Sequence, residues 1–213
     1  GVSIRYTLDG TEPDSISSPE YNSNIVLTKN VQVKAKAFKK GWISSDVLDN
    51  YFFSATFRAD SAINILPSDE QYKGDGAKTL VDLEKGEVGN FKSGKWLGYR
   101  KNKMESLLLF NHPVTIKTVT LNTLVDIGGY IMPPVLIEVW GGNEEKQLKL
   151  LSRVNPQQPK MLMPAYLKAF ELSFTPVTLK YLKVIAVPVA KLPVWHPGKG
   201  DKGWVFTDEV FVN

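Results

Sequence analysis

Short apolar stretches separated by turn residues make up the hydrophobic pattern of this chain. In the segment NVQVKAKAF the side chains alternate between apolar and polar, and the apolar ones are Val31, Val33, Ala35 and Ala37. A period of two residues is typical of a β-strand with one buried face. Residues 4–8 and the segment DVLDNYFF indicate further strands, and Asp9-Gly10 supplies the positive φ that a tight turn needs. The pattern predicts a small β-unit at the start of the chain.

From about residue 55 the apolar stretches become longer, with Gly- and Pro-rich loops between them. They predict strands over residues 106–110, 115–124, 135–141, 170–174, 180–187 and 204–212. No segment between them has the length and periodicity of an amphipathic helix, and helix is expected only as a turn or two at residues 164–168. Many strands joined by loops are typical of an antiparallel sandwich or jelly roll, so the predicted class is all-β.

The composition excludes several classes of protein. With 213 residues, of which 43% are hydrophobic and 23% charged, the chain resembles an ordinary globular protein. The absence of cysteine removes disulfides and thiolate sites, and a zinc site built on the two histidines would need carboxylate ligands. No apolar run is long enough to span a membrane. The net charge of +4 is spread along the chain, whereas nucleic-acid binding needs basic residues clustered on one face.

The segment WHPGKGDKGWVFTDE, residues 195–209, contains the most candidate chemistry. Its glycines form a G-x-G-x-x-G, but a dinucleotide site needs a strand before the glycines and a helix after them, and here prolines precede and a predicted strand follows. Asp208 and Glu209 look like a pair of catalytic carboxylates. As neighbours on a predicted strand they should point to opposite faces and cannot flank one glycosidic bond. No active site is therefore predicted, and the glycines are interpreted as turn formers.

Sugar recognition is the remaining chemistry for this segment. Aromatic rings stack on the apolar face of a pyranose, while polar side chains bind its hydroxyls. Trp195 and His196 lie together in a Gly-rich loop, and Tyr130 lies in the loop DIGGYIMPP. These three residues are the predicted carbohydrate-binding residues. The alternative for Trp195 is a lid that packs over one end of the sandwich, and the sequence leaves both interpretations open.

The other tryptophans divide between core and surface. Trp204 begins the last predicted strand and Trp96 lies in the segment GKWLGY, and both are expected in the core. Trp42 follows Gly41 in the first unit. It is expected either at the surface or in a contact between domains.

The first part of the chain resembles a known family. The run IRYTLDGTEP, the residues Pro19 and Tyr21 split by Glu20, and the strand VKAKAF followed by Gly and Ser carry the resemblance. They are similar to the fibronectin-III-associated repeat, the small β-sandwich appended to bacterial chitobiases and β-hexosaminidases. The resemblance covers residues 1–52. The family's first strand should lie upstream of Gly1, so the resemblance implies a partial sandwich that is truncated at its N-terminus.

Residues 56–213 resemble the discoidin or coagulation-factor type C module, a galactose-binding-like jelly roll. The similar segments are KTLVDLEKGEVGNFKSGKWLGY, IKTVTLNTLVDIGGYIMPPVLIEVWGG and the ending WHPGKGDKGWVFTDEVFVN. The likeness is greatest to modules at the C-terminus of family-20 glycoside hydrolases of Bacteroides-type bacteria. It implies a non-catalytic accessory region of an exported β-N-acetylhexosaminidase-like enzyme. The catalytic domain would lie upstream in the same protein, at a periplasmic, outer-membrane-associated or secreted location.

The same resemblance implies a structural calcium ion. Related modules hold calcium between the Asp of a turn and the Glu of the last strand, which correspond to Asp82 and Glu209, with Glu84 or Asn90 as further oxygen ligands. Calcium takes about six to eight oxygen ligands. Leu83 stands where the family usually has glycine. The competing interpretation is that Glu209 binds loop amides and Asp82 closes a turn, and no cofactor is required.

Three functions are considered on these grounds. The first is a module that binds glycans containing N-acetylhexosamine or galactose and holds its parent hydrolase on the substrate. The second is a structural spacer that packs on the catalytic domain and orients it without binding a glycan. The third, a free-standing enzyme, is disfavoured because no catalytic constellation is present. The sequence leaves the first two open.

Overall fold

The structure is a computed structural model in which all residues, 1–213, are described. The chain divides into two compact units, Gly1–Ser54 and Ala55–Asn213. Both are built from antiparallel strands, and the helical segments are short 3-10 turns. No helix is long and apolar enough to cross a membrane. The predicted all-β class is confirmed.

The first unit is a single antiparallel sheet of three strands. Their order across the sheet is β1 (Ser3–Thr7), β2 (Val31–Phe38) and β3 (Leu48–Phe52). The predicted turn follows β1, with Gly10 at a φ of +79° and Asp9 Oδ1 accepting a hydrogen bond from Thr11 N–H. Val31 is the only apolar strand residue of this unit that is buried. The first unit is therefore a single sheet with a small core.

The second unit contains seven strands. They are β4 (Ser61–Asn64), β5 (Leu97–Tyr99), β6 (Met104–Val125), β7 (Leu136–Gly142), β8 (Lys149–Val154), β9 (Tyr166–Val187) and β10 (Val205–Val212). Short 3-10 helices lie at Glu70–Tyr72, Gly76–Leu80 and Glu145–Gln147. The strand order is β5-β10-β6-β9-β7-β8, and β4 pairs with β6.

Two long strands, β6 and β9, determine the shape of the second unit. Each has 22 residues, and they pair antiparallel with register shifts after Leu109 and Ile116. The first half of β6 also pairs with β4, and its second half pairs with β10. The two halves contribute to one core cluster, so the bent pair forms both layers of a jelly-roll sandwich.

The main core lies between these two layers. Leu108 and Leu121 come from the two halves of β6, and Val139, Leu182 and Val210 come from neighbouring strands. All five are at most 4% exposed. Burial of an apolar side chain of this size contributes about 1.5–3 kcal/mol. The core therefore holds the strand ends, and with them the loops, in fixed positions.

The structure merges some predicted strands and corrects the predicted helix. Residues 106–110 and 115–124 belong to β6, and residues 170–174 and 180–187 belong to β9. Proline interrupts each strand near its middle, where the register shifts, because it cannot donate to the ladder. The predicted helix at residues 164–168 is wrong, since Tyr166 already begins β9 and pairs with Val125.

Three strands escaped prediction, namely β4, β5 and β8. Each is short and lies at an edge of the sheet. An edge strand buries little of its surface, so its sequence need not show a clear alternation.

The tryptophans occupy three different environments. Trp96 is 1% exposed in an aromatic cluster with Phe206, which confirms its predicted place in the core. Trp204 lies at the edge of the same cluster and is only half-buried, because it precedes the first residue of β10. Trp42 is 71% exposed in the first unit.

Candidate functional site

Two loops of the second unit carry the three predicted carbohydrate-binding residues. Residues 126–131 turn tightly, with Tyr130 N–H donating to the Ile127 carbonyl at 3.0 Å. Residues 188–204 form the other loop, and Trp204 N–H donates to the Tyr130 carbonyl at 2.8 Å. The two loops are therefore joined backbone to backbone.

His196 lies where the two loops meet and is 2% exposed. Its Nε2 is 2.7 Å from the Ile127 carbonyl oxygen, and its Nδ1 accepts a hydrogen bond from Gly198 N–H at 2.9 Å. A carbonyl only accepts and a backbone N–H only donates, so these partners require the neutral tautomer with the proton on Nε2. Both ring nitrogens are used within the protein. Neither nitrogen is left to bind a sugar hydroxyl, so the imidazole has a positioning role, which is to hold the two loops together.

Tyr130 and Trp195 both pack against the buried imidazole. Their ring centroids lie 5.0 Å and 5.7 Å, respectively, from that of His196. Both rings are half-buried and pack on a small apolar cluster formed by Val125, Ile127, Met132, Val189 and Leu192. The structure thus brings the three predicted residues together and leaves part of two aromatic rings accessible. That these residues form a carbohydrate-binding site stays a prediction.

The glycines of the G-x-G-x-x-G serve two different purposes. Gly200 has a φ of +87°, which confirms the turn-former interpretation at that position. Gly198 allows a close approach instead, because a Cβ there would lie 2.1 Å from a ring carbon of Tyr130. Gly203 is also closely packed, since its Cβ would lie 3.2 Å from the Cβ of Val189. Gly198 also lies in a turn, since its carbonyl accepts a hydrogen bond from Asp201 N–H at 3.0 Å, whereas at Gly203 close packing replaces the turn-former interpretation.

The acid pair Asp208 and Glu209 is completely buried and has no access to an external substrate. The pairing of β10 with β6 shifts register between Thr207 and Glu209, so Asp208 is the extra residue of a β-bulge. Asp208 Oδ2 accepts from Gly86 N–H at 2.7 Å, and Glu209 Oε1 accepts from Leu83 N–H. Both carboxyls face the same loop. The prediction that they point to opposite faces is wrong, because the bulge breaks the alternation.

Asn122 ties Asp208 to the neighbouring strand β6. Its Nδ2 lies 2.8 Å from Asp208 Oδ1 and 3.0 Å from Asp208 Oδ2. Burial raises the pKa of Asp208 to about 7, and the hydrogen bonds from Gly86 and Asn122 oppose this shift. Sequence reasoning missed this buried network. The usable signal was a polar residue, Asn122, inside the apolar run TVTLNTLV.

Among the predicted calcium ligands, Asp82 and Glu209 lie close together. Burial and the neighbouring Asp82 carboxyl raise the pKa of Glu209 to about 9, and Glu209 Oε2 is buried without a hydrogen-bond partner. Asn90 lies in an exposed turn, with its N–H bonded to the Glu87 carbonyl at 3.3 Å. No three His, Asp or Glu side chains are arranged to hold a metal ion. Further ligands for a cation would have to be backbone carbonyls or water.

The turn that carries Asp82 shows the competing arrangement. Leu83 has a φ of +67°, the left-handed region in which glycine is usual. Glu84 N–H donates to Asp82 Oδ1 at 2.8 Å, and the Glu84 carboxylate pairs at the surface with Lys95 at 3.3 Å. Asp82 therefore closes a turn, while Glu209 binds a loop amide. These contacts leave Glu209 Oε2 as the orphaned oxygen of the site.

Comparison with known proteins matches the first unit to a family. The family described as Fn3 associated matches residues 1–52, which confirms the resemblance noted for this segment. No curated protein matches the chain.

Several solved structures share the jelly-roll class. One is chitosan-binding module 1 of a chitosanase/glucanase from Paenibacillus sp. IK-5, at 10% identity and a TM-score of 0.48, with 75% of this chain and 98% of that chain covered. Another is the CBM32 of AlyQ in complex with 4,5-unsaturated mannuronic acid, at 12% identity and a TM-score of 0.45, with 74% of this chain and 96% of that chain covered. A third is the C-terminal domain of a chitobiase from Bacteroides fragilis, at 17% identity and a TM-score of 0.41, with 73% of this chain and 91% of that chain covered. At these identities the likeness concerns the fold.

Proposed function

We propose that this chain is a non-catalytic carbohydrate-binding region of an exported glycoside hydrolase. The observation that carries the proposal is the pair of half-buried rings, Trp195 and Tyr130, which both pack against the buried His196. Rings held in fixed positions offer a flat apolar surface to a pyranose and lose little side-chain entropy when they bind it. The burial of Asp208 and Glu209 supports a binding role, because the acid pair that looks like catalytic carboxylates in the sequence is closed to substrate.

The finer proposal concerns the parent enzyme and the sugar. The ending WHPGKGDKGWVFTDEVFVN resembles that of modules in family-20 glycoside hydrolases, so we propose a β-N-acetylhexosaminidase-like parent with its catalytic domain upstream. The glycan would then contain N-acetylhexosamine or galactose. The parent protein would be periplasmic, outer-membrane-associated or secreted.

Calorimetric titration of the chain with N-acetylglucosamine, galactose and mucin-type glycans tests this function. We expect at least one of them to bind, and Trp195→Ala to weaken that binding by about tenfold or more, since a stacked ring contributes on the order of 1 kcal/mol or more. Trp42→Ala is the matched control, because Trp42 is 71% exposed in the other unit. Absence of binding, or equal binding by the Trp195→Ala variant, would contradict the proposal.

The second candidate function is a structural spacer that orients the catalytic domain without binding a glycan. It is favoured by the packing of Trp195 and Tyr130 on their apolar cluster, which is how a lid would pack. A spacer predicts no glycan binding in the titration and a lowered melting temperature for Trp195→Ala. Glycan binding that depends on Trp195 would rule it out as the sole function.

We also propose that the site of Asp82 and Glu209 holds a calcium ion. The support is the orphaned Glu209 Oε2 beside a second carboxyl, an arrangement that a divalent cation neutralises. Calcium would join the loop to the last strand, with backbone carbonyls and water completing its ligands. The melting temperature should then rise with calcium and fall with a chelator, and Glu209→Gln should remove the response. An unchanged melting temperature would contradict this proposal.

A further inference from the structure

The connection between β2 and β3 projects from the first unit as a short turn. Its neck is closed where Ser45 N–H donates to the Ala37 carbonyl at 3.1 Å and Ser45 Oγ accepts from Ala37 N–H at 2.9 Å. Within the turn, Trp42 N–H donates to the Lys39 carbonyl at 3.0 Å. The turn is therefore fixed by local hydrogen bonds. We call residues 39–43, KKGWI, the tip, and all five are exposed.

Two large apolar side chains lie uncovered on the tip. Ile43 is 99% exposed and Trp42 is 71% exposed. Single exposed apolar residues are common on protein surfaces, but neighbouring ones on a projecting turn form a continuous apolar surface. A surface of this kind indicates contact with another apolar phase.

The charges of the tip are basic and are not balanced within it. Lys39 and Lys40 form no salt bridge, whereas Lys36 on β2 pairs with Glu12 at 2.7 Å. Lys39 Nζ lies 4.3 Å from the centroid of the Trp42 ring, so one positive charge lies directly beside the indole. The tip contains no acidic residue.

The acidic residues beside the tip do not cancel this charge. Glu20 lines a hollow next to the tip, but its carboxylate lies 3.7 Å from the Arg5 guanidinium. Asp46 follows the neck of the turn, outside the tip. The exposed apolar surface is therefore bordered by a net positive charge.

We infer that the tip docks on an anionic lipid surface. Indole rings favour the boundary between lipid headgroups and acyl chains, and lysines are attracted to anionic headgroups while their ammonium groups stay in water. A fluid apolar layer accepts a side chain that projects as far as Ile43 without a complementary cavity. The inference is independent of the proposed function, because it concerns the other unit and another ligand.

The contact is weak by its composition. Two apolar side chains and two lysines provide less than one myristoyl chain, which binds membranes with a constant of about 10⁴ M⁻¹. Half-saturation is therefore expected above about 0.1 mM lipid. Binding should also weaken when the salt is raised from about 50 to 500 mM, because exposed charges are screened.

Co-sedimentation of the whole chain with lipid vesicles tests the inference. One set of vesicles contains phosphatidylglycerol and phosphatidylcholine in equal parts, and the other contains phosphatidylcholine alone. We expect the anionic vesicles to bind about tenfold more tightly or better, since each lysine near an anionic surface strengthens binding severalfold. Equal binding to both sets, or no binding up to about 10 mM lipid, overturns the inference.

Variants of the tip locate the contact. The double variant Lys39→Glu/Lys40→Glu should weaken binding to anionic vesicles by about tenfold or more, and Trp42→Ala by about fivefold or more. The matched control is Lys146→Glu/Lys149→Glu, which makes the same change in net charge at exposed positions of the second unit. If this control weakens binding as much as the tip variant, the tip is not the docking site.

Fluorescence quenching by brominated anionic lipid tests whether the indole enters the lipid. Of the five tryptophans, Trp42 should account for most of the quenching, so Trp42→Phe should remove most of it and Trp195→Phe should not. Equal quenching in both variants refutes insertion of the tip. Sedimentation velocity without lipid should show a monomer. Self-association that Ile43→Ser abolishes would instead assign the tip to a second copy of the chain and overturn the lipid assignment.

Discussion

At the scale of single residues, buried polar groups hold the loops of the second unit. His196 connects the two loops that carry Trp195 and Tyr130, and Asp208 connects the loop at Gly86 to β6 through Asn122. Buried polar groups are costly when they lose their partners. Single polar substitutions in these networks should therefore destabilise the fold as much as apolar ones do.

His196→Ala is the clearest case. The substitution leaves Gly198 N–H buried without a partner and removes one of the two donors to the Ile127 carbonyl, which keeps only Tyr130 N–H. A buried group that loses its partner costs about 1–3 kcal/mol. We expect the free energy of unfolding in urea to fall by about 2 kcal/mol or more. The other histidine, His112, is exposed, so His112→Ala is the matched control and should change stability by less than about 0.5 kcal/mol. Equal effects of the two substitutions would refute the positioning role.

Glu209 should make the metal-free chain less stable at high pH. Its pKa is about 9 in the folded state, against an ordinary value of 4.5. Between these values the folded state retains a proton that the unfolded state has released, so the free energy of unfolding falls as the pH rises. Asp208 has a pKa that is raised from 3.8 to about 7, so it lowers the free energy of unfolding in the same way as the pH rises toward 7.

Urea denaturation in the presence of a chelator measures this dependence. Glu209→Gln keeps an acceptor for Leu83 N–H but does not titrate. In this variant the free energy of unfolding should therefore change little between about pH 7 and pH 9. The slope that Asp208 causes below pH 7 should remain. The attribution to Glu209 fails if the variant and the parent chain lose stability equally above pH 7.

At the scale of elements, the β-bulge in β10 decides how the preceding loop packs. The bulge turns Asp208 toward Gly86 N–H, and this brings Gly86 against the buried ring of Trp96. The loop has no strand or helix of its own between the 3-10 helix Gly76–Leu80 and β5. Its position therefore depends on a few contacts with β10 and Trp96.

Gly86→Ala tests that packing. A Cβ at position 86 would lie 2.1 Å from Trp96 Cε2, and Trp96 is only 1% exposed and cannot move aside. Such overpacking costs about 1–3 kcal/mol in the free energy of unfolding. Gly128→Ala is the control, because the nearest atom to its Cβ would be Asp126 Oδ1 at 3.7 Å. A Gly86→Ala variant as stable as the Gly128→Ala variant would show that the loop is not fixed against Trp96.

At the scale of the whole molecule, the two units differ greatly in their cores. Val31 is the only buried apolar strand residue of the first unit, whereas the second contains a large continuous core cluster. A sheet of three strands with little buried apolar surface has marginal stability. The two units should therefore open with different free energies.

Hydrogen–deuterium exchange of the whole chain measures that difference. We expect the amides of β2 to exchange about a hundredfold faster or more than those in the middle of β6 and β9, since local opening follows the amount of buried apolar surface. The comparison uses hydrogen-bonded strand amides in both units, so it does not depend on loops. Equal protection of β2 and β6 would contradict the expected difference.

The sequence predicted elements well where a strand has a buried face and poorly where it does not. The alternation in β2 and the apolar runs in β6, β9 and β10 indicated strands, because burial imposes a pattern on them. The edge strands β4, β5 and β8 bury less and were missed. The sequence does not show that residues 166–168 form a strand, because their pairing partners, residues 123–125, lie far away in the chain.

By itself, the sequence determined the all-β class, the burial of Trp96 and the proximity of Trp195 to His196, because these follow from local patterns. Only the tertiary structure decided that His196 is buried with both nitrogens bonded, and that Asp208 and its neighbour face the same loop. The physical reason is that a bulge and a contact between distant loops depend on how strands pair, which no local pattern of side chains specifies.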